Sequence, residues 1–326
     1  MQWKSDLQAE FEKTQTLFLI NEEVGAQLCF QSELVLMGKT LSTEVLAPLK
    51  TLLIENSVNQ AVLSHLGEVQ EVYFIRISLD KPAQDLTPVI KAFTSEQGCD
   101  FALVASLPDF SKPGLVLMDM DSTTIQIECI DEIARLYGVG DEVSAVTAAA
   151  MRGELDFNGS LRTRVSKLAG APESVIKTVA DTMPLMPGLL VLLAGLKAAG
   201  WKVAIASGGF TYFANRLKED HGFDAAYANT LEIVDNTLTG EVTGEIVNAD
   251  VKARTLNELA IQFDIPQSQT VAIGDGANDL VMMAASALGI AIHAKPIVQE
   301  KASVALNHLD LEGALCLLTA SLSLHA

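Results

Sequence analysis

Two aspartates, Asp119 and Asp121, end an apolar run in the stretch LVLMDMDSTT. Residues separated by one position share a face of a strand, although the chain turns at the strand end and the two carboxylates need not stay parallel. A D-x-D pair alone also occurs on surfaces by chance, caps helices or binds calcium. Here the pair follows four apolar residues and precedes Ser122, Thr123 and Thr124, which indicates a functional pair rather than surface decoration.

Two further acids, Asp275 and Asp279, occur in the stretch GDGAND, where Gly274 and Gly276 permit a tight turn. A loop that only turns the chain and caps the next helix is the alternative interpretation. If the four acids converge, their repulsion requires a divalent cation, and hard oxygen ligands favour Mg²⁺. A carboxylate beside such an ion can attack phosphorus, while a second acid transfers protons. The acids therefore indicate phosphoryl transfer.

Groups suited to a phosphate occur in two other segments. Ser207 and Gly208 follow the apolar run KVAIA and precede the helical pattern FTYFANRLKEDHG, where a hydroxyl and exposed amides can hold an anion. A plain strand-to-helix turn is the alternative. Lys252 follows Asp250, the expected N-cap, and would lie in the first helical turn, where a cation needs a negative partner. A solvated lysine is the alternative there.

The elements that position these residues are apolar runs alternating with helical segments. GLVLMDMD, WKVAIASGG and TVAIGDGAND recur between helices, and LGIAIHAKP follows. Strands that are apolar throughout predict a parallel sheet covered on both faces, with ligands beyond the carboxyl ends of the strands. We therefore predict an α/β fold with a Rossmann-like, doubly wound parallel sheet core. Two insertions are expected in it, a helical cap at about 125–183 and a small β-hairpin at about 231–247.

The first part of the chain predicts a small α+β domain, residues 1–106, ahead of the catalytic domain, residues 107–326. The strand VYFIRISLD precedes a helix expected to have Thr87 as N-cap and Pro88 as its first residue, and FALVA is another strand. The prolines and glycine of SLPDFSKPG mark the boundary. Sensing, dimerisation into a homodimer and plain packing all stay open as roles of this domain.

Composition excludes several classes of function. The net charge is −19 over 326 residues, with no block of lysine and arginine, so we expect no nucleic-acid partner. No apolar run is long enough to span a membrane, and no signal peptide is recognised. The cysteines show neither disulfide nor metal-type spacing, which is typical of a reducing cytosol. We therefore expect a cytoplasmic protein with a small-molecule substrate.

The order of the pieces resembles that of the haloacid-dehalogenase-like phosphatases. The stretches DMDST, SGGF, Lys252 and GDGANDL correspond to the four motifs of that superfamily, from about Gly114 towards the C-terminus. The resemblance is greatest to the phosphoserine phosphatases. It implies Mg²⁺-dependent hydrolysis of O-phospho-L-serine through an aspartyl-phosphate, as the last step of serine biosynthesis.

The resemblance also implies roles for individual residues. Asp119 would be the nucleophile, Asp121 the acid/base that also lends its carbonyl oxygen to the metal, and Asp275 the remaining metal ligand. The groups that contact the substrate or support the site would be Ser207, Gly208, Lys252, Asn278 and Asp279. In the cap, Glu128 would meet the substrate amine and Arg164 its carboxylate, between the apolar side chains of Met151 and Phe157. Judged without the resemblance, Glu128 and Arg164 would be ordinary surface charges.

Two alternative functions stay open. The first is a phosphatase of another small metabolite, which would share the core and differ in the specificity of its cap. The second is a signalling receiver, which also gathers acids, Mg²⁺, a hydroxyl residue and a lysine around a phosphorylated aspartate. Receivers lack a long helical insertion after that aspartate, so the insertion at about 125–183 favours a lidded enzyme.

Overall fold

The fold is described from a computed structural model, which describes residues 29–322. Its strands are β1 (Ser32–Gly38), β2 (Ala61–Val69), β3 (Val72–Leu79), β4 (Asp100–Val104), β5 (Leu115–Met118), β6 (Lys202–Phe210), β7 (Ala225–Val234), β8 (Thr237–Thr243), β9 (Thr270–Gly274), β10 (Leu288–Ile292) and β11 (Val304–Leu306). Its helices are α1 (Leu46–Glu55), α2 (Ala83–Gln97), α3 (Cys129–Tyr137), α4 (Gly140–Met151), α5 (Phe157–Ser166), α6 (Ser174–Asp181), α7 (Leu189–Ala198), α8 (Thr211–His221), α9 (Ala249–Gln262), α10 (Leu280–Ala285), α11 (Pro296–Gln299) and α12 (Leu311–Thr319). No helix among these residues is long and apolar enough to cross a membrane.

One sheet of 11 strands runs through the described chain, in the order β2-β3-β1-β4-β11-β10-β9-β5-β6-β7-β8. The strands from β11 to β7 are parallel to one another. Along β5, Leu115 and Leu117 pack into one apolar cluster and Val116 and Met118 into another, so both faces are buried. This double burial explains why the strand is apolar at every position.

The strand order places a crevice beyond β5 and β9. From β5 the chain builds outwards to β6 and β7 on one side and, later, to β9, β10 and β11 on the other. The Asp119 N–H donates to the carbonyl of Ile273 at 2.9 Å, which ties the end of β5 to β9. Ligands bind at such reversal points in parallel sheets. The acids after β5 and after β9 therefore meet there.

Helices α3–α6 form the cap over this crevice. Its entry and exit are joined by an antiparallel bridge between Ile125 and Leu185, and the Met186 N–H donates to the Thr124 carbonyl at 2.9 Å. The hairpin β7–β8 begins earlier than the predicted 231–247, because the first part of β7 also pairs with β6. Its turn, Asp235–Asn236, has positive φ at both residues, as the type I′ hairpin turn requires.

The strands β1 to β4 extend the same sheet, with β4 antiparallel to β11, while helices α1 and α2 cover one face with an apolar cluster of their own. Helix α2 begins at Ala83, so Thr87 is not its N-cap and Pro88 lies in its interior. The buried face, formed by Leu86, Ile90 and Thr94 at intervals of four, explains the earlier start. Whether residues 1–106 act as a separate domain stays a prediction, and residues 1–28 lie outside the described part.

Candidate active site

The carboxylates of Asp119, Asp275 and Asp279 lie together at the crevice. Each of the three residues has a carboxylate oxygen within 4.8 Å of a carboxylate oxygen of the other two. Burial, followed by the charge of Asp279, raises the pKa of Asp275 to about 6. The same two causes raise the pKa of Asp119 well above its usual 3.8, although Lys252 opposes them. Acids held this close favour a bound cation, which would restore their ionised forms.

Lys252 is fully buried between two of these acids. Its Nζ donates to Oδ1 of Asp119 at 2.8 Å and to Oδ1 of Asp279 at 2.7 Å. Burial lowers the pKa of Lys252, but the two carboxylates outweigh burial and raise it above its usual value. The other oxygen of Asp279 accepts the Gly276 N–H at 3.0 Å. Asp279 therefore uses both oxygens within the protein, which suits a supporting role better than metal ligation.

Helix α9 brings Lys252 into the site from its first turn, as predicted, but with a different cap. Asn248 is the N-cap, and its side-chain oxygen accepts the Val251 N–H at 3.1 Å. Asp250, the expected cap, is an exposed acid in the first turn of the helix. Both residues are good caps, so the sequence alone did not distinguish them.

Asp121 lies on the turn after β5, beside the cap entrance. Its Oδ1 accepts the Cys129 N–H at 3.4 Å, and a Cβ added to Gly209 would come within 2.7 Å of its Oδ2. Burial, followed by the charge of Glu128, raises the pKa of Asp121 to about 7. A group with this pKa can both donate and accept a proton near neutral pH.

The segment Ser207–Phe210 continues strand β6, and helix α8 begins only at Thr211. The strand predicted to end at KVAIA therefore continues for four more residues. The register of its pairing with β7 shifts between Ala206 and Phe210. The buried hydroxyl of Ser207 accepts the Gly209 N–H at 2.9 Å. This bond fixes the local turn beside Asp121.

Of the predicted cap residues, the structure places Glu128 near Asp121 and Phe157 against Gly208. Glu128 is exposed at the N-terminus of α3 and accepts the Ser122 hydroxyl at 2.8 Å. Phe157 begins α5, and a Cβ added to Gly208 would come within 2.7 Å of its ring. Arg164 lies further along α5. Met151 ends α4, but its side chain lies outside the described part, and Asn278 is half-buried in the short turn before α10.

Several residues that sequence reasoning missed also build the site. Thr123 donates its hydroxyl to Asp275 at 3.1 Å, and Thr124 donates to the Asp119 carbonyl at 2.5 Å. The buried side chain of Asn229 donates to the Gly208 carbonyl at 2.9 Å and accepts the Val247 N–H at 2.8 Å. The two threonines were visible in the motif but had no assigned role. Nothing in the sequence pattern singles out Asn229.

The chain shows similarity to known proteins along the part that carries this site. Residues 113–287, more than half of the chain, match the family described as haloacid dehalogenase-like hydrolase. A phosphoserine phosphatase of Vibrio cholerae is 59% identical over 223 residues, which are 68% of this chain and 68% of that protein. The chain belongs to the phosphoserine phosphatase group of the haloacid dehalogenase-like hydrolases. A second phosphoserine phosphatase, from Haemophilus influenzae, is 53% identical over 70% of this chain and 73% of its own.

Solved structures show the same fold as this hydrolase. A crystal structure of a probable phosphoserine phosphatase from Vibrio cholerae matches with a TM-score of 0.77 and 47% identity, covering 89% of this chain and 87% of that one. A substrate-bound phosphoserine phosphatase complex matches with a TM-score of 0.60 and 41% identity, covering 63% of this chain and 98% of that one. The predicted α/β class with a parallel sheet is confirmed.

Proposed function

We propose that this hydrolase converts O-phospho-L-serine to L-serine and inorganic phosphate, as the last step of serine biosynthesis. The observation that carries the substrate assignment is Arg164. Its Nε is buried and has no hydrogen-bond partner among the described residues. An unsatisfied buried donor costs about 1–3 kcal/mol, and more when it is charged. A carboxylate accepts parallel N–H bonds from a guanidinium, so the carboxylate of the substrate is the matching group.

The other side chains of the site suit the remaining groups of phosphoserine. Glu128 would pair with the ammonium group, and Phe157 with Met151 would form apolar walls. Ser207, Gly208, Lys252 and Asn278 would hold the phosphoryl oxygens. An amino acid phosphate needs an acid, a fork-shaped cation and a phosphate site at once, and this chain offers all three types of group in its cap and at its strand ends.

The chemistry assigned to the two motif aspartates proceeds in two steps. A carboxylate oxygen of Asp119 attacks phosphorus, the ester P–O bond breaks, and Asp121 gives its proton to the serine alkoxide. Asp121 then takes a proton from water, which attacks the aspartyl-phosphate and releases inorganic phosphate and the free Asp119 carboxylate. The pKa of about 7 for Asp121 suits both proton transfers. Lys252, held against Asp119, would stabilise the charge on the phosphoryl oxygens.

We also propose that the metal of this site is Mg²⁺. The carboxylates of Asp119 and Asp275 and the carbonyl oxygen of Asp121 would hold it. Hard oxygen ligands suit this ion, and the raised pKa values of Asp119 and Asp275 support a site for an added positive charge. When bound, the ion supplies charge stabilisation to the phosphoryl group.

Three further proposals concern the whole protein. We propose a cytoplasmic location, which is supported by four free cysteines. The part before residue 107 is proposed as a separate unit with a regulatory or dimerising role, and a homodimer is its proposed assembly. A receiver role is disfavoured by the cap, because helices α3–α6 follow directly after the acceptor turn.

The test is phosphate release from phosphoserine and from ethanolamine phosphate, which lacks the carboxylate, with Mg²⁺ and with a chelator. Arg164→Met should reduce kcat/KM for phosphoserine by roughly 10-fold to 100-fold, the loss of a charge-assisted bond, and leave ethanolamine phosphate unchanged. Arg162→Met is the matched control, because Arg162 is exposed on the same helix. Equal effects of Arg164→Met on both esters would contradict the proposed role of Arg164. Phosphate release from other phosphate esters but not from phosphoserine would indicate that the substrate is another metabolite.

A further inference from the structure

The hairpin β7–β8 is hydrogen-bonded to the cap as well as to the sheet. The Gly170 N–H donates to the Leu238 carbonyl at 2.8 Å, and the Leu238 N–H donates to the Ala171 carbonyl at 2.9 Å. The Glu173 N–H donates to the Asn236 carbonyl at 2.9 Å. The connection between α5 and α6 therefore pairs with the start of the hairpin's second strand, through an antiparallel bridge between Pro172 and Thr237. These bonds join the cap to an element of the core.

Gly240 on β8 brings the hairpin backbone against the C-terminal end of α5. A Cβ added there would lie 2.9 Å from the Cβ of Ala169 and 3.3 Å from the Cα of Ser166. Its φ of +90° lies in the region that favours glycine. Ser166 is the last residue of α5, so this contact fixes the height of that end of the helix above the sheet.

Arg164 lies two residues before this contact, on the same helical turn. The other end of α5 is also held, because Phe157 contacts Gly208 near the C-terminal end of β6. A helix held at both ends presents its side chains at a fixed distance from the crevice. The buried Nε of Arg164 belongs to this helix, which is held at both ends.

We propose that the hairpin β7–β8 is a specificity-determining element, which positions Arg164 to meet the substrate carboxylate while the phosphate lies at Asp119. Gly240 is the positioning residue at its centre. The inference rests on the proposed function, since it assumes that Arg164 binds a carboxylate. By this proposal, the hairpin selects phosphate esters according to the distance between their phosphate and carboxylate groups.

The test compares two glycine variants of the full chain. Gly240→Ala adds a methyl group against α5, whereas Gly244→Ala adds one at a similar positive φ of +77° where no atom lies within 4 Å. Gly240→Ala should lower kcat/KM for phosphoserine about 10-fold, mainly through KM, because the added methyl group must displace the end of α5. Turnover of ethanolamine phosphate should be unchanged. Gly244→Ala should match the wild type on both esters.

Two further variants separate positioning from damage to the fold. Ala169→Gly, added to Gly240→Ala, removes the closest clash and should restore part of kcat/KM for phosphoserine. Tyr137→Phe removes a hydroxyl that donates to the Ala169 carbonyl at 3.1 Å, and should raise KM for phosphoserine alone. Equal losses on both esters, or equal losses for Gly240→Ala and Gly244→Ala, overturn the inference. A wild type inactive on phosphoserine overturns the proposed function as well.

Discussion

Replacing Asp275 by asparagine should stabilise the metal-free protein while destroying its activity. Burial and the charge of Asp279 raise the pKa of Asp275 from its usual 3.8 to about 6. A carboxyl group with a raised pKa in the folded state opposes folding whenever it is ionised. Its penalty is complete above the folded value, near 6, and disappears below the unfolded value, near 3.8. Asp275→Asn removes this penalty, and the amide oxygen can still accept the Thr123 hydroxyl.

The size of the effect follows from the two pKa values. Each unit of pKa is worth about 1.4 kcal/mol, so the difference between about 6 and 3.8 corresponds to at most about 3 kcal/mol at pH 8. At pH 5 about half of this penalty remains, because the Asp275 carboxyl group is then protonated in most folded molecules. The asparagine variant should therefore exceed the wild type in free energy of unfolding, and the margin should shrink as the pH falls from 8 to 5.

Urea-induced unfolding, with a chelator and with Mg²⁺, measures both parts of this prediction. A ligand at 100 times its dissociation constant adds about 2.7 kcal/mol, and the wild type should gain more from Mg²⁺ than the variant does. The advantage of the variant in free energy of unfolding should therefore shrink or change sign when the metal is added. Glu219→Gln is the control, since it removes one exposed acid on α8. A variant less stable than the wild type at pH 8 in chelator would refute the reasoning.

Three more predictions test other parts of the account. Lys252→Met leaves two buried carboxylates without their cation, and should cost about 3–5 kcal/mol in urea unfolding of the metal-free protein. Glu128→Gln should lower the pKa of Asp121 from about 7, which moves the alkaline limb of the single-turnover pH profile to lower pH. Asp100→Ala removes a carboxylate that accepts the backbone N–H groups of residues 307–309 and leaves those donors unsatisfied, so it should lose about 1–3 kcal/mol in thermal unfolding; no loss would contradict that role.

The polar residues of the site could be placed from the sequence because parallel strands end at a common edge. Each apolar run was followed by polar side chains, and the structure brings Asp119, Ser207 and Asp275 to that edge. Lys252 was predicted to need a negative partner, and it bonds two. These predictions depended on local pattern and on the period of strands, which do not require knowledge of distant contacts.

Other features could not be predicted, because they depend on contacts between segments far apart in sequence. Asn229 joins β7 to the last residues of β6, and no pattern near it reveals that role. Helix α2 starts before Thr87 because tertiary packing of its buried face outweighs the cap and proline signals. The pairing of β4 with β11, which joins the first strands to the main sheet, likewise has no local signature.

The most direct test of the central claim is the mass of the peptide that contains Asp119 after rapid mixing with phosphoserine and Mg²⁺ and an acid quench. The account predicts a transient increase by one phosphoryl group on Asp119, which appears before free phosphate and is absent in Asp119→Asn. Release of phosphate from phosphoserine at the normal rate by Asp119→Asn, or a phosphoryl group found on another residue, would contradict it.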